Sequence, residues 1–192
     1  MTRTRLLSSA IAAALLSATV ALGAQTLGSK ERFTAIAIVN NELGSGAGTV
    51  QIDVNRWSTA AERTDLLNVL QKKGAEQLLE ALQKTRPVGT IKTPDSLAYD
   101  LHYANQTPLP EGGRRIVLAT DRPIGFWEVT RRPRTIDYPF TVIQMEIDRD
   151  GEGKGTLSYA TKIISQGNTI VLENFATQPI MLTKIKVETK TE

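Results

Sequence analysis

Turn-separated runs with a period of two recur along this chain, and they constrain its fold more than any other feature. "TVQIDVNRW" (49–57) is the clearest. Val50, Ile52 and Val54 share one side, and Gln51, Asp53 and Asn55 share the other, the pattern of a half-buried strand. "FTVIQMEID" (140–148) repeats it, with Ile143, Met145 and Ile147 opposite Gln144, Glu146 and Asp148. "SLAYDLHYA" puts Leu97, Tyr99, Leu101 and Tyr103 on one face, while "FTAIAIV" (33–39) is apolar on both faces, as a central strand would be. "RRIVLATD", "GTLSYATKII", "NTIVLENF" and "IMLTKIKVE" supply four more runs. About eight closely spaced strands predict a mostly β protein (α+β by content), built as an antiparallel β-sandwich or incomplete barrel.

The period changes at Trp57. Thr59 and Glu62 have the spacing of a capping box, and Leu66, Leu67 and Leu70 recur at helical intervals. Gly74 follows Lys72 and Lys73 as a C-terminal stop. A second helix carries Leu78, Leu79 and Leu82 and closes before Pro87. Residues 59–85 therefore read as one helical hairpin inserted after the second strand. Its leucines are expected to cover a sheet face or one end of a barrel rather than to form a dimerisation stripe.

The first 24 residues read as a signal peptide. Arg3 and Arg5 precede a run of apolar and small residues from Leu6 to Leu22, and small residues at 21–24 suit a peptidase. The run is Ala/Ser-rich and has no basic stop after it, so no membrane span is expected after processing. The mature chain, residues 25–192, is expected to be a single β-rich domain, periplasmic or secreted. It holds 21 basic and 20 acidic residues. That balance gives no reason to expect nucleic acid, which needs a concentrated basic surface. With no cysteine, the core must stand on packing, and thiol catalysis and Cys-based zinc or haem sites are excluded.

Several motifs have competing structural readings. "GSGAG" (44–48) reads as part of a glycine-rich turn, because a strand and not a helix follows it. "DRDGEGKG" (148–155) has carboxylates at alternate calcium-loop positions but Tyr159 where the closing Glu belongs, so it reads as a solvated hairpin turn. His102, the sole histidine, is expected on the exposed face of its strand, with no metal or triad partner in view. Asp100, Glu128 and Asp137 are the carboxylates left for acid–base hydrolysis. No catalytic residue, cofactor or metal is assigned.

The best candidate for recognition is the stretch 121–138, within "LATDRPIGFWEVTRRPRTIDYPF". Pro123, Pro133 and Pro139 interrupt any regular element. Arg122, Arg131, Arg132 and Arg134 offer planar, permanently charged donors for anionic groups. Trp127 and Tyr138 offer faces on which sugars or rings stack, and Glu128 and Asp137 offer acceptors. The alternative is a structural clasp: Asp121, Glu128 and Asp137 pair with the arginines, and Phe126 and Trp127 plug the core.

"GFW" (125–127) and "IDY" (136–138) resemble the G-x-W and T-D-Y signatures of lipocalins, although that family separates the two by most of its barrel. More broadly, "RWSTAAER", "GGRRIVLATDRPIGFWE" and "RPRTIDYPFT" resemble a group of uncharacterised exported bacterial proteins over most of the chain. That resemblance implies a single domain. The functional expectation is an exported non-enzymatic binding module with an anionic or carbohydrate-like ligand at 121–138, the partner being a small molecule, a glycan or an envelope protein. The alternatives are a carboxylate-dependent hydrolase, or a structural envelope protein whose loop contacts a partner.

Overall fold

The computed structural model describes residues 30–41, 44–93, 97–122, 124, 140–166, 169–175 and 179–189. The expected signal peptide lies outside them. In chain order the elements are β1 (Glu31–Asn41), β2 (Gly44–Val54), α1 (Ala60–Lys73), α2 (Ala75–Lys84), β3 (Gly89–Lys92), β4 (Tyr99–Pro108), β5 (Arg114–Thr120), β6 (Phe140–Ile147), β7 (Glu152–Gln166), β8 (Thr169–Phe175) and β9 (Ile180–Thr189).

The strands form a closed antiparallel barrel, the mostly β, barrel-like fold with a helical insert that the sequence predicts. From β1 to β7 each strand pairs with the next, β7 pairs with β9, and β9 returns to β1. Eight strands make up the wall; β8 pairs with β7 and forms a hairpin extension beyond it. Closing a sheet in this way removes its edges, which otherwise present unpaired N–H and C=O groups.

The period-two runs supply the interior. Phe33, Ala35, Ala37 and Val39 of β1 point inward with Val50, Ile52 and Val54 of β2 and Ile143, Met145 and Ile147 of β6, all nearly or wholly inaccessible to solvent. The other side of β1 is not equally buried: Ile38 is 39% exposed. Strand β1 is therefore part of a barrel wall, covered on its inner face only.

Two irregularities keep apolar residues inside although their spacing departs from two. In β4 the register shifts between Leu101 and Tyr103, so Leu101 and Ala104 belong to the interior while Tyr103 joins the outer cluster. The sequence pattern placed Leu101 and Tyr103 on one face, and the bulge at His102 is what separates them. In β9, Leu182 and Ile185 both point inward across Lys184, the one non-glycine residue with positive φ (50°) among the described residues. Bulges of this kind bend and twist a strand, which a closed wall requires.

"GSGAG" is not a turn: Gly44–Gly48 is the first part of β2, paired with Asn41–Ala37 of β1. Strand β3 has no counterpart among the sequence runs. At four residues, "GTIK" is too short to show a period.

At the barrel end where β1 and β5 begin, Arg114 crosses the interior. Its guanidinium donates to both carboxylate oxygens of Glu31 and to Gln106 Oε1 (2.7 Å), and lies 5.9 Å from the centre of the Phe33 ring. Glu31 is only 7% exposed. Both lone-pair faces of the carboxylate are thus engaged by a fork-shaped donor, the geometry in which a buried pair is tolerated.

The helical hairpin lies against the outer wall. Thr59 caps α1: its Oγ1 accepts the Glu62 N–H (3.2 Å) while Glu62 Oε2 accepts the Thr59 N–H (2.8 Å), the expected capping box. Gly74 (φ 89°) ends α1, its N–H donating to Leu70 O at 3.1 Å. Ser58 pins the start of the helix to β4, its N–H bonded to Ala104 O and its Oγ accepting the Ala104 N–H, both 3.0 Å. Leu66, Leu67, Leu70, Leu78 and Leu82 are buried against Tyr103, Val117, Ala119 and Val142. The leucines form a second core between hairpin and barrel.

Leu78→Ala should cost about 2–5 kcal/mol in a urea melt. A cost below about 0.5 kcal/mol, the range of ordinary surface substitutions, would contradict this packing.

Tyr103 carries a pH signature of the same layer. Burial pushes its phenol up to about 12, against smaller opposing influences of the Arg63 charge and a hydrogen bond with Asn105. The folded protein holds this proton more tightly than the unfolded chain. The contribution is therefore complete below about pH 10 and is lost as pH rises through about 12. Urea melts of wild type and Tyr103→Phe should diverge from about pH 10 upward, with wild type losing more stability. Parallel curves would contradict the burial.

Candidate functional site at the root of the β5–β6 connection

Strands β5 and β6 are antiparallel neighbours, yet residues 121–139 separate Thr120 from Phe140. Adjacent strands need a turn of only about 2–5 residues. The described part of this connection is Asp121, Arg122 and Ile124; Trp127, Glu128, Arg131, Arg132, Arg134, Asp137 and Tyr138 lie outside the described residues, as do Phe126 and the lipocalin-like "GFW" and "IDY".

The root is fixed by two fully buried threonines facing each other at the strand ends. Thr120 Oγ1 donates to the Arg122 carbonyl (2.5 Å) and accepts the N–H groups of Arg122 (3.3 Å) and Thr141 (3.2 Å). Thr141 Oγ1 donates to the same carbonyl (3.1 Å) and accepts the Ile124 N–H (3.1 Å). Each hydroxyl is used as both donor and acceptor. Ile124, wholly inaccessible, then inserts its side chain into the interior cluster. The plug in the described root is therefore Ile124.

Asp121 and Arg122 sit immediately outside this knot. Arg122 Nε donates to Asp121 Oδ1 at 3.1 Å, and its side chain is 59% exposed while that of Asp121 is 9% exposed. The guanidinium is held above its ordinary range, first by the hydrogen bond to Asp121, then by the charges of Asp121 and Asp100. Asp100 itself is exposed on β4.

His102 is not the exposed strand residue expected from its position. The β4 bulge and the end of α2 bury it to 6% exposure. Its Nδ1 lies 2.8 Å from the carbonyl of Thr85, the C-cap residue of α2, and its Nε2 lies 3.8 Å from Asp121 Oδ1. This contact joins the helical hairpin to the root of the connection.

The other sequence motifs have structural employment. Asp148 Oδ1 accepts the N–H groups of Asp150 and Glu152, both at 2.9 Å, closing the β6–β7 turn on itself. Among the described residues no group of three or more His, Cys, Asp or Glu could hold a metal ion, and no helix is long and apolar enough to cross a membrane. A groove of about 300 Å³ runs between α1 and α2, floored by Leu66, Val69 and Ala81 with Asp65 and Lys84 among its lining residues. Glu62 on its wall is engaged by Arg56 (2.8 Å). Sequence reasoning missed this groove and the His102–Asp121 approach, because both depend on how the hairpin is laid on the wall.

Compared with family models, curated proteins and solved structures, the chain matches none.

Thr120→Val keeps the volume of the side chain but strands the N–H groups of Arg122 and Thr141. It should cost about 1–3 kcal/mol by urea melt, and Thr120→Ser, which keeps the hydroxyl, should cost less. Equal costs for the two would show that the hydroxyl network does not hold the root.

Proposed function

We propose that this protein is an exported, non-enzymatic binding module, periplasmic or secreted, whose contact surface is formed by residues 121–138. The observation that carries this reading is a long connection between two strands that a short turn would join, rooted in a buried hydrogen-bond knot. The barrel has no use for that length. Long connections held by a rigid scaffold are where binding residues concentrate.

The filled interior supports the same reading. Apolar side chains such as Ile52, Leu101, Ile116, Leu118 and Ile143 occupy the barrel and are wholly inaccessible, so a ligand is met outside the wall and not within a lumen. The chemistry of the connection is that of its sequence. Arg122, Arg131, Arg132 and Arg134 suit carboxylate, phosphate or sulfate groups, with Glu128 and Asp137 as acceptors. Trp127 and Tyr138 suit the faces of sugar rings. The ligand class is therefore an anionic or carbohydrate-like molecule, free or displayed on an envelope partner.

Arg132→Ala and Arg134→Ala separate contact from clasp. Binding of sulfated and carboxylated oligosaccharides should weaken about tenfold, about 1.4 kcal/mol, with melting curves nearly unchanged. Losses of about 3–5 kcal/mol in stability, as when one partner of a buried ion pair is removed, with no oligosaccharide bound by wild type, would contradict the proposal and leave a structural clasp.

A further inference from the structure

The His102 contact has a chemical asymmetry. A carbonyl oxygen only accepts, so the 2.8 Å approach of Nδ1 to Thr85 O requires the proton on Nδ1. In the neutral ring Nε2 is then bare, and its lone pair faces the Asp121 carboxylate at 3.8 Å. Neutral imidazole and carboxylate repel across that gap. A second proton, on Nε2, turns the same approach into an attraction between opposite charges and supplies a donor aimed at Asp121.

We infer that His102 is a proton-operated link between the helical hairpin and the root of the β5–β6 connection, drawing Asp121 toward β4 and α2 when the imidazole is charged and releasing it when neutral. The anchor on the α2 side is constant, because Nδ1–H donates to Thr85 O in both states. Only the Asp121 side changes. Asp121 is followed directly by Arg122, whose carbonyl is held by Thr120 and Thr141, so a displaced carboxylate acts on the knot that sets the direction of the connection.

Among the described residues the surrounding charges are identifiable. From the root come Asp121 and its partner Arg122; from β4 come Asp100 and the phenol of Tyr103; from the end of α2 come the C-terminal carbonyl of Thr85 and the exposed Lys84 and Arg86 on either side of it. Val88, just before β3, and Gly89 at its start carry no ionisable group. The link itself is independent of what the connection contacts; its use in regulating a ligand rests on the binding function proposed above.

His102 is the only histidine in the chain, so its ring signals in an NMR titration need no assignment against others. Labelled wild-type protein should be titrated from pH 8 to pH 5 with backbone amides followed in parallel. The Arg122 and Ile124 amides should shift with the same midpoint as the ring. In Asp121→Asn their response should fall several-fold, while the Thr85 amide region still follows the ring. A ring that titrates while the Arg122 and Ile124 amides stay still would overturn the inference. So would a ring that does not titrate in this range, or an undiminished response in Asp121→Asn. The wild-type titration decides the matter alone if the variant does not fold. Because no ligand is involved, failure here leaves the binding proposal standing, and loss of binding leaves the link standing.

Discussion

The ladder between β1 and β9 joins the first strand of the barrel to the last, and the remaining architecture depends on it. Glu31 pairs with Thr189 at one end and Ile38 with Met181 at the other. Without that ladder the consecutive hairpins would form an open sheet with two long edges, one of them the apolar "FTAIAIV". Closure pairs both edges and obliges the inward residues of eight strands to fill one space. It also explains the interruptions: the shift between Thr34 and Ile36, the bulge at His102 and the positive φ of Lys184 let the wall curve without turning its apolar residues outward. Arg114 adds a second tie across the interior to Glu31, from a strand 83 residues away in sequence.

The interior of a barrel closed in this way is filled, and two additions to the minimal barrel lie outside its wall. The helical hairpin covers the wall of β4, β5 and β6 through its leucines and leaves a groove between its own helices. The β5–β6 connection starts from the Thr120–Thr141 knot with Ile124 driven into the core. His102 stands where the two additions meet. A bulge needed for curvature thus also turns the imidazole outward, under the end of α2 and toward Asp121.

Much of this was legible from residue order alone. Period two located β2 and β6 because their buried inward residues alternate with more accessible ones, turn-bounded apolar runs marked the other strands that the sequence showed, and the Thr59–Glu62 pair and Gly74 marked the limits of α1 because those signals act within a few residues. Legibility failed where the cause was distant. Strand β3 is four residues long and exists because β2 and β4 flank it. "GSGAG" extends β2 because β1 is there to pair with it, although glycine disfavours strands. Tyr103 faces away from Leu101 because of a bulge that no local signal announces. His102 is buried by a helix end seventeen positions earlier in the chain. At the candidate site, Asp121 and Arg122 were identified by type, while the threonines that hold them were not, since a threonine in a strand has no distinctive pattern.

Native-state hydrogen exchange of the amides in β1 and β9 tests the central claim most directly. If these strands close the barrel, the amides of Phe33–Ile38 and Leu182–Val187 that face each other should exchange only through global unfolding. Their protection should then match the stability measured in denaturant and the protection of β4 and β5. Rapid exchange along β1 and β9 while β4 and β5 stay protected would show an open sheet with free edges, and would contradict the account.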